Sequence, residues 1–382
     1  MLNVTLWWML LVPITLSILF VIFMPKMSDG YVSTLGAIGM GAVGVLISLG
    51  IFAGGLYGSR VSATADTELL NGEITDKTRA HGSYQRPYDC NCRQVRSCSG
   101  SGKNRSCSTS TKCDTCYEPR YTVKWTAIST VGNFTIDSLD RGSSSVYATP
   151  DPHRYTIIEK GEPACVQHSY TNYIRGVPDS ILRPAAAEVK AKYAGKIPEY
   201  PINTFDFYRA NRLVTAGLAV PDAALWNKNI SIASSYLGPR KQTNIVVVLT
   251  SYSDDFFFAL QDAWVNGKKN DIVVVIGQSK YGEKADWVRI MALTESDLLQ
   301  VKLRDAILDL ESINPASVVS ATQDIALKHY QRKSMRDFKF LEDQIDPPTW
   351  VIASSLGGVV LAYLLAFIFT PRLVRPSYTR RW

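Results

Sequence analysis

Six of the seven cysteines fall within one short stretch: Cys90, Cys92, Cys98, Cys107, Cys113 and Cys116, with Cys165 following alone. Thiolates spaced as Cys90-x-Cys92 and Cys113-x-x-Cys116 offer a tetrahedral zinc four soft ligands, although C-x-C is tighter than the usual knuckle. Cys98 and Cys107 would then form a separate pair. The alternative is a disulfide framework, which an oxidising compartment favours, with Cys165 free or bridging from the next segment. Either way the cross-links staple a small β-rich module whose segments are too short and too polar to build a sufficient core.

Carboxylates form the second candidate set. Asp254, Asp255 and Asp286 lie near the ends of expected strands, and as hard oxygen ligands they suit a divalent cation if the fold brings them together. The competing reading is capping: Asp254 and Asp255 open the helix that follows Ser253, where anionic side chains satisfy free N–H groups without any metal. Nucleophilic chemistry finds little footing, because His81, His153, His168 and His329 stand beside no G-x-S-x-G turn and no papain-type cysteine motif. Ser101-Gly102-Lys103 lacks the leading glycine of a phosphate loop, since position 97 is Ser.

The elements that position these residues are framed by apolar runs at both ends of the chain. Leu6–Met24 and Thr34–Tyr57 carry no charge, and a third run covers Thr349–Thr370. Each is long enough to cross a hydrocarbon core of ~30 Å at ~1.5 Å per residue. Trp7 and Trp8 suit a bilayer interface. A cleaved leader is disfavoured, because no basic segment precedes the first run and a second span follows directly. Residues 39–44 spell G-x-G-x-x-G, but inside an apolar helix that pattern has no dinucleotide meaning. Gly50, Gly54 and Gly58 share one helix face on which another backbone can approach, either one of the chain's own spans or a second copy.

Arg372, Arg375, Arg380 and Arg381 place the C-terminal tail in the cytoplasm by the positive-inside rule. Three spans then put the folded region outside the cytoplasm, although Arg332, Lys333, Arg336 and Lys339 blunt the asymmetry. The formal net charge is +7, from 41 basic and 34 acidic residues; without Lys26, Asp29 and the four tail arginines, 36 and 33 remain, or +3. So even a charge carries no implication of nucleic-acid binding.

The expected domains are residues 1–58 with two transmembrane helices (about 6–24 and 34–57), a cysteine-containing β-rich module at 60–176, an α/β domain at 177–346, a transmembrane helix at 349–370 and a basic tail at 371–382. The β module shows strand-like runs at Tyr121–Ile128, Phe134–Asp137 and Tyr155–Glu159, with a loose hairpin tip over Ser97–Ser110. In the α/β domain, Asn244–Thr250, Asp271–Gly277 and Trp287–Leu293 read as strands. Asp254–Val265, Ser296–Leu310 and Pro315 to about Ile345 read as helices.

Thr243–Ala326 resembles the TPM domain, a membrane-associated αβα module, on the run "TNIVVVLTS", "FFFALQDAW", "NGKKNDIVVVIG" and "WVRI". The wider pattern, with "YDCNCR", "CDTCY", "YTNYI" and "RKSMRDFKFLEDQI", is similar to uncharacterised membrane proteins of large tailed bacteriophages. The resemblance implies either a metal-dependent acid phosphatase or a non-catalytic partner of membrane complexes. No compact acidic cluster follows the second strand, where Ser279, Lys280, Tyr281 and Lys284 stand instead, and this departure favours the second. The expectation is therefore a membrane-anchored α/β protein: three transmembrane helices, a small cysteine-stapled β-rich module and a TPM-like αβα sandwich. It would sit in the bacterial inner membrane, contacting the lipid bilayer and other membrane or envelope proteins, forming a homo-oligomer, binding no nucleic acid, and holding zinc only if the cysteines are not oxidised.

Overall fold

The computed structural model describes residues 4–27, 33–99, 106–206 and 208–373. The Ser101-Gly102-Lys103 fragment and the tail arginines Arg375, Arg380 and Arg381 lie outside them, as do the side chains of Trp7, Trp8 and Arg372. The chain divides into two compact units, one of residues 1–66, 169–183 and 334–382, the other of residues 67–168 and 184–333.

In chain order come α1 (Val4–Met27), α2 (Thr34–Thr64), β1 (Ala65–Ser99), β2 (Ser106–Ser129), β3 (Gly132–Arg141), α3 (His153–Thr156), β4 (Pro163–Thr171), α4 (Tyr173–Gly176) and α5 (Ala187–Lys192). They are followed by β5 (Thr204–Phe205), β6 (Arg209–Ala210), β7 (Leu213–Ala216), α6 (Ala223–Lys241), β8 (Asn244–Thr250), α7 (Phe256–Ala263), β9 (Asp271–Gly277), β10 (Trp287–Ala292), α8 (Leu298–Leu308), α9 (Pro315–His329) and α10 (Thr349–Leu373).

The first unit is built on α1, α2 and α10. Two helices are long and apolar enough to cross a membrane, Thr34–Thr64 and Thr349–Ile368. Ser33 starts α2 by accepting from the Gly36 N–H at 3.1 Å, satisfying one of the free donors of the first turn. The three helices meet around Tyr363, whose ring stacks on Phe20 at 4.4 Å and whose hydroxyl donates to the Gly41 carbonyl at 3.1 Å and contacts Ser17. Gly44 leaves space for that ring, since a Cβ there would collide with it. Further along, the Ser48 and Ser355 hydroxyls lie 2.8 Å apart, and Gly55 makes room for Val351. Small and hydroxylated residues thus bring the helices together.

In the second unit, one antiparallel sheet runs β3-β2-β1-β4. Strict alternation along β2 buries Val123, Trp125 and Ala127, which pack with Ile74, Phe134, Ile136 and Tyr155. The expected strand at Tyr155–Glu159 is instead the short helix α3 and a turn, with Tyr155 of α3 buried in this core. The sheet therefore has a core, which lies at the end where β3 pairs with β2.

The second sheet runs β10-β9-β8-β7, with β7, β8 and β9 parallel and β10 antiparallel to β9. Every residue of β8 and β9 is buried, which explains their continuous apolar sequences. Ile245, Val247, Leu249, Ile272, Val274 and Ile276 face α6, α8 and α9. Val246, Val248, Val273 and Val275 face Phe256, Leu260 and Trp264 of α7 and its end. The result is three layers, αβα. The helix expected from Pro315 to about Ile345 ends at His329, and a 3-10 segment, Met335–Gln344, follows separately.

Candidate functional site

The six clustered cysteines sit on β1 and β2 beyond the point where β3 stops pairing, whereas Cys165 is buried and free on β4. The β2–β3 register ends at Tyr121↔Arg141, and from Tyr84↔Arg120 outward the two strands continue as a ribbon to Ser99↔Ser106. Sixteen residues of β1 at ~3.3 Å each give an arm of about 50 Å. Cys90 pairs with Cys116, Cys92 with Cys113 and Cys98 with Cys107, all within disulfide distance. The three links are nested. Cys98 and Cys107 are direct register partners, and Cys92 lies in the irregularity between Cys90 and Arg93, where Asn91 takes a positive φ of 48°.

The four residues of the zinc alternative, Cys90, Cys92, Cys113 and Cys116, are thus joined two by two. No group of three or more metal-ligating side chains forms among the described residues. Ser97–Ser99 and Ser106–Ser110, expected in the loose tip, are paired strand.

A two-stranded ribbon with no layer against it is at best marginally stable, so the cross-links supply what burial does not. Tyr84, Tyr88 and Tyr117 stand 47%, 46% and 64% exposed along it. Arg93 lies directly opposite Lys112 in register, both exposed. Like charges so placed disfavour the pairing they sit on.

Asp254, Asp255 and Asp286 do not converge. Both Asp254 oxygens receive the Arg289 guanidinium, at 2.8 and 2.5 Å. Asp255 accepts from Lys192 and Tyr193 at 2.7 Å each and from Ser253 at 2.6 Å. The Lys192 ammonium, then the Ser253 hydroxyl, hold its carboxyl well below the usual range. Asp286 accepts from the Ser279 hydroxyl at 2.7 Å. The capping expectation also needs correction: Asp255 is the N-cap residue of α7, yet its side chain makes no capping bond. Lys192 and Tyr193 compete successfully for the same oxygens.

Gly50, Gly54 and Gly58 meet nothing within 4 Å of an added Cβ. The chain's own helices pack on a different face of α2, through Gly41, Gly44 and Gly55. Among the described residues, none packs within 4 Å of a Cβ on the Gly50, Gly54 and Gly58 face.

Two buried polar centres had no signal in the sequence. Glu68, fully buried near the start of β1, accepts from Lys269 at 3.0 Å, contacts His168 Nδ1 at 3.1 Å and takes Arg332 on both oxygens at 3.1 Å. Arg212, 2% exposed, donates to Asn244 Oδ1 at 2.8 Å and to Asn71 Oδ1. Asn244 in turn donates to Asp271 at 3.0 Å, and the Tyr200 hydroxyl donates to the same carboxylate at 2.7 Å. Complete burial pushes the Asp271 carboxyl up to about 6 despite these donors. Such partners are far apart in sequence and are assembled only by the fold. Gly238 of α6 belongs to the same junction, since a Cβ there would strike the Asn71 carbonyl.

No family model, curated protein or solved structure matches this chain.

Proposed function

We propose that the protein is a non-enzymatic, membrane-anchored scaffold that contacts other membrane or envelope proteins through its stapled ribbon. The ribbon carries this reading: an arm that covers no core, held by three cross-links, with tyrosines of the kind that anchor protein interfaces exposed along it. The opposed Arg93 and Lys112 favour an acidic surface on the partner, which would relieve their mutual repulsion.

Paired cysteines accord with an oxidising compartment, and hence with a folded region outside the cytoplasm of a bacterial cell. In this reading α1 joins α2 and α10 as a third span, the tail arginines lie inside, and the open Gly50, Gly54, Gly58 face joins copies into an oligomer. The three-layered sheet is compatible with a TPM-like module, and a phage-encoded protein acting in a host envelope fits the same arrangement. The phosphatase alternative draws no support from Asp254, Asp255 and Asp286, each engaged by a separate partner.

Photo-crosslinkers placed at Tyr88 and Tyr117 of the full-length chain in native membranes test the reading. A discrete protein adduct is expected, and it should disappear when Arg93 and Lys112 are both changed to Glu. Adducts to lipid alone, or none, would reject the scaffold role.

A further inference from the structure

A cavity of about 470 Å³ opens beside β6 and the first half of α6. One wall is apolar, with Phe205, Tyr208 and Ile232; the other carries Arg209, Arg212 and Lys228. Among the described residues the only carboxylate in the lining is Glu162, which is engaged by the Arg209 ion pair and by the Tyr208 hydroxyl at 3.3 Å.

Two cations therefore remain without a carboxylate partner. Arg212 is buried, and its guanidinium bonds neutral groups: Asn71, Asn244, the Ser231 hydroxyl at 3.1 Å, the Ala210 carbonyl at 3.3 Å and the buried Cys165 thiol. The acidic group nearest along that chain of bonds, Asp271, is reached only through Asn244. Lys228 is exposed at the mouth and forms no ion pair among the described residues. A buried guanidinium without an anion is unfavourable, and an apolar recess with convergent polar groups is the usual form of a small-molecule site.

We propose that this cavity binds a small organic carboxylate, its head group between Arg212 and Lys228 and its apolar body against Phe205, Tyr208 and Ile232. An inorganic anion would leave those walls wet, and a neutral ligand would leave the charge uncompensated. The site stands on its own and does not depend on the scaffold reading.

Full-length protein in lipid nanodiscs would be titrated calorimetrically with 3-phenylpropionate, indole-3-propionate, the amide of each, and inorganic phosphate. At least one carboxylate should bind saturably at one per chain, about tenfold or more tighter than its amide, a difference equivalent to ~1.4 kcal/mol. Phosphate should not bind. Lys228→Ala should weaken the carboxylate several-fold, and Ala224→Trp, at an exposed lining position, should block it. Melting of each variant verifies folding, and Lys228→Ala decides if Ala224→Trp is unstable. No saturable carboxylate binding, equal affinity for acid and amide, or binding unaffected in folded variants would each overturn the proposal.

Discussion

The stapled ribbon and the β8–β9 pair are both extended backbone, held by opposite means. Strands β8 and β9 lie between two helical layers with every residue buried, so the burial of Val, Ile and Leu on both faces fixes their register. The ribbon from Tyr84 to Arg120 has no layer over either face, and its side chains are mostly exposed. There covalent links replace burial, closing sequence separations of 26, 21 and 9 residues. A surface freed from packing is not held to apolar residues, and polar, charged and tyrosine side chains occupy it. One region is held by the burial of its side chains and the other by links between its strands.

The largest expected effect is the loss of the ribbon on reduction. Each disulfide in such a setting contributes ~2–4 kcal/mol, mainly by restricting the open chain, and a bare two-stranded ribbon has little else. Full-length protein treated with a reductant should lose hydrogen-exchange protection over residues 84–99 and 106–120. Residues 245–249 and 272–276 should keep theirs, and the main melting transition should stay in place. Ribbon protection that survives reduction would show that packing rather than cross-linking holds it.

A smaller effect separates the sheet's polar edge from its apolar centre. Asp271 is fully buried with a carboxyl raised to about 6 from an ordinary 3.8. Because the folded state binds the proton more tightly, the stability associated with this group is complete below about pH 4 and is lost as pH rises through about 6. The two-unit shift corresponds to about 3 kcal/mol at most. Asp255 has the opposite sign: its depressed carboxyl contributes stability above pH 3.8 that is lost on further acidification. Melting curves of the wild type and of Asp271→Asn between pH 4 and 7.5 should therefore differ in slope, the variant being flatter. Parallel curves would remove Asp271 as the source.

The sheet was legible because its signals are local. Asn244–Thr250 and Asp271–Gly277 are uninterrupted apolar runs, and both strands have the expected limits. By contrast β7 has only four residues, and α6 contains Pro239 and polar residues throughout, so neither displays a pattern apart from its tertiary setting. The cysteine cluster announced cross-linking, but spacing could not distinguish four convergent thiolates from nested pairs; that depends on the strand register. Glu68, Arg212 and Asp271 were invisible as sites because each draws its meaning from residues distant in sequence. The acidic trio erred in the other direction. Proximity to strand ends left a shared cation site open beside helix capping, whereas Arg289 and Lys192 draw Asp254 and Asp255 into separate ion pairs.

Those two ion pairs give the smallest effect, and the one that tests whether this end of the sheet, unlike its apolar centre, holds a cation. Asp254 and Asp255 are 39% and 33% exposed at their side chains, so water screens both pairs. Exposed pairs of this kind contribute ~0.2–1 kcal/mol each. Neither residue makes a side-chain cap, so exchanging both for Asn removes charge without removing a helix-starting hydrogen bond. The variant Asp254→Asn, Asp255→Asn should melt only slightly below the wild type. Magnesium, manganese and calcium should leave both melting temperatures unchanged, because a cation stabilises only a state that binds it. The Arg289 guanidinium occupies both Asp254 oxygens, and Lys192 neutralises Asp255, so a cation would have to displace two fixed charges before meeting its first ligands. A metal-induced rise in the wild type that vanishes in the variant, together with phosphomonoester hydrolysis, would reverse this assignment and make the end of the sheet a catalytic centre.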